Sequence, residues 1–283
     1  MEKDIQTECP DLFPLHLDND LKSPPVWVLS RAGASYMLGT FDGHRFTPSS
    51  PGVHKFNFGP DFYASQTYSN VPDGRRIMSA WMWGWGDDDP AGITTTGGMM
   101  TLPVQLDLVS TPDGPRITSN PVDELQVLRG VPSIATNVDL SAATPVLDSD
   151  YGNQCEIIAN IDMGTATNAG LSLLQDSSGA VTTVGYDAVK KEVYIDRSKS
   201  GITSFNKAGN YIAAPLALKN NQVQLHVFVD HATVEAFAGN GLTPITIRCY
   251  PPKNAKKITA FATGGDARIT SIQIYPMSSI WKK

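Results

Sequence analysis

Apolar and polar residues alternate with a period of two along most of this chain. In Gln222–Asp230, Val223, Leu225, Val227 and Val229 fall on one face, and Gln224, His226, Phe228 and Asp230 on the other. That is the signature of a half-buried strand. Asp230–Thr233 reads as a hairpin turn into Val234–Ala238. Short apolar runs recur at Val26–Ser30, Ser35–Phe41, Ile77–Met82 and Met99–Val109. Further runs follow at Cys155–Met163, Ala169–Gln175, Val181–Ala188, Glu192–Asp196, Ile245–Tyr250, Ile258–Thr263 and Ile269–Tyr275. Gly, Pro, Asn and Asp separate them, as in a propeller, sandwich or barrel. The chain is therefore expected to be all-β. The later strands, spread over about 150 residues, suit two antiparallel sheets packed face to face.

One stretch breaks the period. Asn120 is a candidate cap, Pro121 suits a first helical position, and Gly130 can close the turn. Val122, Leu125 and Leu128 recur at helical spacing. Pro121–Arg129 is predicted to be a short helix joining two β units. The expected division is residues 1–119, a linker over 120–133, and a sandwich over 134–283.

Composition narrows the function. The 283 residues are 18% charged, with a formal net charge of −6. Nucleic-acid binding calls for a basic face, so that partner is disfavoured. No apolar run is long enough for a membrane-spanning helix. The charged start Met1-Glu2-Lys3-Asp4 is not the pattern of a signal peptide. Cys9, Cys155 and Cys249 form neither a disulfide framework nor a zinc spacing. His16, His44, His54, His226 and His231 are scattered, which suits ordinary surface or turn positions. Asp87-Asp88-Asp89 suits a solvated loop better than a cation site, because consecutive side chains do not easily converge. No phosphate loop or nucleophile elbow is present, so neither cofactor nor metal is expected.

Candidate chemistry begins at Glu8-Cys9-Pro10, followed by Asp11-Leu12-Phe13. Proline fixes its own φ and biases Cys9 towards an extended conformation, holding Glu8 at a strand end or turn. A general acid needs such a mount; an exposed glutamate beside a structural turn is the plainer account. Asp61 lies between Pro60 and Phe62, where a carboxylate is costly to bury unless hydrogen-bonded. It either faces a cleft or satisfies backbone donors. Tyr63, two residues on, is expected to point the same way. Tyr63 and Gln66 are candidate partners for hydroxyl groups. Trp81, Trp83 and Trp85 cluster in Ala80-Trp81-Met82-Trp83-Gly84-Trp85-Gly86. Indole faces stack on sugar rings as readily as they fill cores. Arg197, in Asp196-Arg197-Ser198, is expected to pair strands.

Together these motifs resemble glycoside hydrolase family 32, the invertases, levanases and inulinases. Glu8–Phe13 is similar to its acid/base motif. Phe58-Gly59-Pro60-Asp61-Phe62-Tyr63-Ala64-Ser65-Gln66, Arg75–Met82 and Met100–Leu106 are similar to three later strands, though Val104-Gln105 replaces the family's Arg-Glu pair. Asp196–Gly201 and Phe228–Phe237 resemble the signatures of its sandwich.

The resemblance implies part of a five-bladed β-propeller followed by a β-sandwich. It implies Glu8 as acid/base, Trp81 in a fructose pocket with Asp61, Tyr63 and Gln66 binding substrate, and a fructose-containing saccharide as partner. The family's nucleophilic aspartate lies in an Asn-Asp-Pro stretch, and a second aspartate in an Arg-Asp-Pro motif; neither occurs in these residues. The chain is thus expected to lack the first blades and to hydrolyse β-fructosides weakly or not at all. A second chain supplying those blades, or self-association through open strand edges, is a further expectation. The alternative is a non-catalytic carbohydrate-binding or structural β protein.

Overall fold

The computed structural model describes residues 8–49, 52–83, 98–145, 152–205 and 207–281. They form four antiparallel sheets. The first contains β1 (Asp11–Leu15), β2 (Val26–Arg31), β3 (Ser35–Phe41) and β4 (Phe46–Pro48) in that order, with β5 (His54–Lys55) against β3. The second comprises β6 (Tyr63–Thr67), β7 (Arg76–Met82), β8 (Met99–Met100), β9 (Val104–Val109) and β10 (Arg116–Pro121). Its order is β10-β9-β7-β6, with β8 beside β7.

Twelve further strands follow: β11 (Ser133–Asp139), β12 (Thr144–Pro145), β13 (Gln154–Asp162), β14 (Asn168–Gln175), β15 (Val181–Asp187), β16 (Glu192–Lys199), β17 (Tyr211–Pro215), β18 (Gln222–Asp230), β19 (Thr233–Ala238), β20 (Ile245–Arg248), β21 (Lys257–Thr263) and β22 (Arg268–Pro276). They sort into two six-stranded sheets, β11-β22-β13-β18-β19-β20 and β12-β21-β14-β15-β16-β17. Between these sheets runs one apolar core, with Ile157, Leu171, Val184, Leu225, Ile247 and Ile272 fully buried. This is the sandwich that the period-two pattern predicts.

Two expectations are corrected. The run Met99–Val109 is split, because Pro103 has no N–H to donate and Thr101 turns its hydroxyl to the Ala80 amide at 3.0 Å. The predicted helix at Pro121–Arg129 is a 3-10 segment, Asp123–Leu128, with no side-chain cap. Asn120 and Pro121 instead complete β10 opposite Gln105 and Val104. The Asn120 amide donates to the Asn240 carbonyl. Sheet pairing claims the residues that would have capped a helix, and six residues are too few to propagate an α-helix alone.

The first half has its own core, including Phe13, Val28, Tyr36, Met78, Leu106 and Leu108, and Phe228 and Phe237 of the sandwich join it. The polar-looking face of β18 is therefore covered in its middle, at His226 and Phe228, while Gln222, Gln224 and Asp230 stay exposed. Opposed residues of a sheet share a face, and Glu156, Phe228, Glu235 and Thr246 form one such row across β13, β18, β19 and β20. All four are buried; Phe228, Glu235 and Thr246 meet residues of the first half, and Glu156 meets Arg129 of the connecting segment. Each buried polar member has partners. Glu156 binds Arg129 at 2.5 and 2.6 Å and His226 at 2.7 Å. Burial opposes its charge, but those hydrogen bonds outweigh it and hold the carboxyl below its ordinary range. His226 is thus part of the interface, not an ordinary surface residue. Glu235 accepts from the Leu102 amide at 2.8 Å and the Thr246 hydroxyl at 3.0 Å. Thr246 in turn exchanges two bonds with the Asn57 side chain.

Candidate active site

The first two sheets meet at β1 and β6, each an edge strand of its own sheet. Three ties link the segment before and into β1 with β6. The Tyr63 phenol donates to the Glu8 carboxylate. Gln66 Nε2 donates to the Cys9 carbonyl at 3.1 Å. Asp11 accepts from the Thr67 amide at 2.8 Å and its hydroxyl at 2.7 Å. Ala32 forms a fourth link through the backbone: its N–H donates to the Glu8 carbonyl, and its carbonyl accepts from Ala64.

These ties bend the chain. Cys9 has φ 47° and Ala64 φ 50°, left-handed values for non-glycine residues. Cys9 is therefore not extended, correcting the expectation from its proline neighbour. Both of its flanking carbonyls are committed, Glu8's to Ala32 and its own to Gln66, and this pins the turn. Ala64 lies in a register shift between Tyr63 and Gln66, as a bulge requires. Such strain persists where surrounding bonds over-determine it, and it clusters at functional sites.

Glu8 is solvent-exposed and Tyr63 half-buried. The acceptor bond to Glu8 pushes the Tyr63 phenol up to about 12, with burial a smaller cause. Tyr63 lies directly opposite Trp81 on β7, the rings edge to face with centroids 6.3 Å apart. Trp81 is half-exposed. Four sequence-predicted residues, Glu8, Tyr63, Gln66 and Trp81, are thus gathered where β1, β6 and β7 approach.

Asp61 is not among them. It is fully buried, and its carboxylate is held by Arg248 Nε at 2.7 Å, the Arg248 amide at 2.8 Å and Arg197 Nη1 at 3.2 Å. The expectation that it binds substrate, pointing the same way as Tyr63, is corrected: β6 begins at Tyr63, so the alternation of a strand does not extend back to Asp61. Arg197 does pair strands, since it also binds the Arg248 carbonyl at 2.7 Å, but it reaches beyond the sandwich to Asp61. Arg248 lies over the Trp83 ring at 4.2 Å, and Phe205 lies beneath both guanidinium groups. Both guanidinium groups thus lie against aromatic faces, which favour a cation taken out of water. Trp83 is accordingly a buried joint residue. Arg248 holds Asp61, two residues before β6, and Trp83, the residue after β7, bracketing the Tyr63–Trp81 pair. Neither Arg248 nor Ala32 stands out in the sequence, because each acts through partners distant along the chain. Trp85 and Asp87-Asp88-Asp89 lie outside the described residues.

Comparison with known proteins finds two family profiles along the chain. The profile described as "Glycosyl hydrolases family 32 N-terminal domain" matches residues 1–121. The one described as "Glycosyl hydrolases family 32 C terminal" matches residues 124–276, more than half of the chain. The chain belongs to glycosyl hydrolase family 32. Among curated family members, the levanase of Bacillus subtilis is 31% identical over 293 aligned positions, covering 97% of this chain and 43% of the levanase. The sucrose-6-phosphate hydrolase of Zymomonas mobilis is 31% identical, covering 94% of this chain and 52% of that enzyme. The chain thus spans about half the length of these relatives. In fold it is similar to the exo-inulinase of Aspergillus awamori, with TM-score 0.85 and 24% identity, covering 97% of this chain and 57% of that one. It is also similar to fructan 1-exohydrolase IIa from Cichorium intybus, with TM-score 0.80 and 18% identity, covering 96% of this chain and 61% of a form solved in complex with 1-kestose.

Proposed function

We propose that this chain carries the acid/base half of a β-fructofuranosidase site, with sucrose, inulin or levan as the substrate class. The observation that carries this is the Tyr63–Glu8 hydrogen bond beside the half-exposed Trp81. Glu8 is the one carboxylate of the gathered group. Its mount is held by Ala32, Gln66 and Tyr63, as a group that must meet a departing oxygen requires. Asp11, its near neighbour, is committed to Thr67. Trp81 offers an aromatic face for a furanose ring.

Retaining hydrolysis takes two carboxyl groups roughly 5–5.5 Å apart. In this reading the nucleophile comes from outside these 283 residues, which contain no Asn-Asp-Pro. Without it the covalent route is closed, and Glu8 cannot be credited with its usual share of rate. The two five-stranded sheets are read as two blades of a five-bladed propeller. The division 1–119, 120–133 and 134–283 follows, supported by the family profiles parting between residues 121 and 124.

The test is turnover of sucrose and inulin by the purified chain beside a Glu8→Gln control. The expected result is little or no hydrolysis by either. Robust hydrolysis that Glu8→Gln leaves intact would refute the role given to Glu8. Robust hydrolysis that the control abolishes would refute the missing nucleophile. A second reading, saccharide binding without catalysis, is favoured by the half-exposed pairing of Trp81 with Tyr63. Calorimetric titration with 1-kestose distinguishes it, as binding with no turnover even when a nucleophile-bearing segment is present.

A further inference from the structure

The row that carries Tyr63 and Trp81 does not end at Trp81. Residues directly opposed on neighbouring strands share a face of the sheet. Trp81 is opposed by Tyr63 on β6 and by Met100 on β8, so the three form one line across the sheet. Glu8 meets this line from the β1 side through Tyr63, and Met100 stands at its other end. Met100 is 63% exposed, whereas its neighbour Met99 turns the opposite way and packs on Phe205, Ala232 and Tyr250. One row further along the same face, Gln66 is opposed by Ser79, whose hydroxyl lies 2.9 Å from that of Tyr68. The face therefore has an apolar end, Trp81 and Met100, and a hydroxyl-bearing end. A saccharide ring has the same division, with C–H faces and a polar rim.

A single exposed methionine is ordinary on a protein surface. Met100 differs in how firmly its backbone is held. The next residue, Thr101, exchanges two bonds with Ala80: its amide donates to the Ala80 carbonyl at 3.0 Å, and its hydroxyl accepts from the Ala80 amide at 3.0 Å. The Leu102 amide donates to the buried Glu235 carboxyl of the sandwich at 2.8 Å, and Thr246 holds the other oxygen of that group at 3.0 Å. A segment fixed from both halves of the chain thus presents one flexible, polarisable thioether beside the indole. Such a side chain adapts its shape to the surface it meets.

We propose that Met100 and Trp81 together form the apolar wall of the saccharide site, covering a C–H face of the bound fructoside, and that Glu235 is a positioning residue that keeps Met100 in place through Leu102 and Thr101. This rests on the proposed function and deepens it, adding a contact from β8 and a hold from the sandwich. The sandwich then serves the site without touching the saccharide.

The experiment reads Met100 directly. The chain is treated with dilute hydrogen peroxide, with and without 1-kestose, and methionine sulfoxide is followed residue by residue by mass spectrometry. Without saccharide, Met100 should oxidise well before the buried Met78, Met82 and Met163. 1-Kestose should slow Met100 several-fold and leave Met277, which bridges to Arg129, unchanged. Met100→Glu should weaken 1-kestose binding, measured by tryptophan emission, by about tenfold or more, because a charge replaces the apolar contact. Val189→Lys, on an exposed turn of the sandwich, should not weaken it. Glu235→Ala should weaken binding and reduce the protection of Met100, while Glu235→Gln, which keeps an acceptor for the Leu102 amide, should recover most of both. Thr101→Val, which removes the hydroxyl that holds Ala80, should act in the same sense as Glu235→Ala and tests the held segment where that variant does not fold. Binding of 1-kestose with Met100 oxidised at an unchanged rate would overturn the wall and leave the proposed function standing. Binding and protection unaltered in Glu235→Ala or in Thr101→Val would overturn the positioning role. Protection of Met100 together with robust hydrolysis by Glu8→Gln would keep the wall and refute the role given to Glu8. No binding of 1-kestose at all would overturn both.

Discussion

The Tyr63 phenol donates its proton to the carboxylate of Glu8 across fifty-five positions of sequence. That bond joins the edges of two sheets and fixes the one carboxylate in the gathered group. It also gives Tyr63 a property that can be measured without any catalysis.

Tyr63 is expected to ionise at about 12, above its ordinary 10.0, because Glu8 holds the phenolic proton. In Glu8→Gln the negatively charged acceptor is gone, so Tyr63 should titrate closer to 10. Ultraviolet titration of tyrosinate, with Tyr63→Phe assigning the signal, checks this. A Tyr63 transition unmoved by Glu8→Gln would show that the bond does not form in solution.

Asp61→Ala should be among the most damaging single changes outside the main cores. It takes from the buried Arg197 and Arg248 a carboxylate that both bind. Breaking a buried pair in this way costs roughly 3–5 kcal/mol. Urea denaturation measures it, and a cost under about 1 kcal/mol would show that the remaining partners of the two cations suffice without Asp61.

Glu235 makes stability depend on pH in a definite direction. Burial raises its carboxyl from 4.5 to about 7. Below 4.5 the group is protonated in both folded and unfolded chains. Between 4.5 and 7 the unfolded chain gives up its proton first, so stability from this group falls as pH rises and is lost above 7. The span is on the order of 3 kcal/mol. Glu235→Gln should flatten the curve over that window, and denaturation midpoints from pH 4.5 to 8 compare the two.

Gly98→Ala should disturb Trp81 more than the fold. Gly98 has φ 133°, and an added Cβ would overlap the Trp81 indole nitrogen. The indole must rotate or β8 must lift from β7. A shift in tryptophan emission, at a stability cost of about 1–3 kcal/mol, is the expected outcome.

Much of the architecture was legible because strands declare themselves locally. Ser35–Phe41 and Gln222–Asp230 carry their period in their own side chains, and both form over those same residues. The break in the strand pattern after residue 121 was legible too, though not its conformation: Asn120 and Pro121 suit a cap in isolation, but pairing with β9 has the greater claim.

By itself the sequence determined the β period, the family and the presence of a glutamate mounted beside proline, since each is written in neighbouring residues. Only the tertiary structure decided what those residues face. It turned the outward side of β18 into an interface, sank Asp61 between two arginines from strands far along the chain, and brought Tyr63 to Glu8. Orientation of this kind is set by contacts between segments distant in sequence, where burial and charge pairing outweigh any local preference.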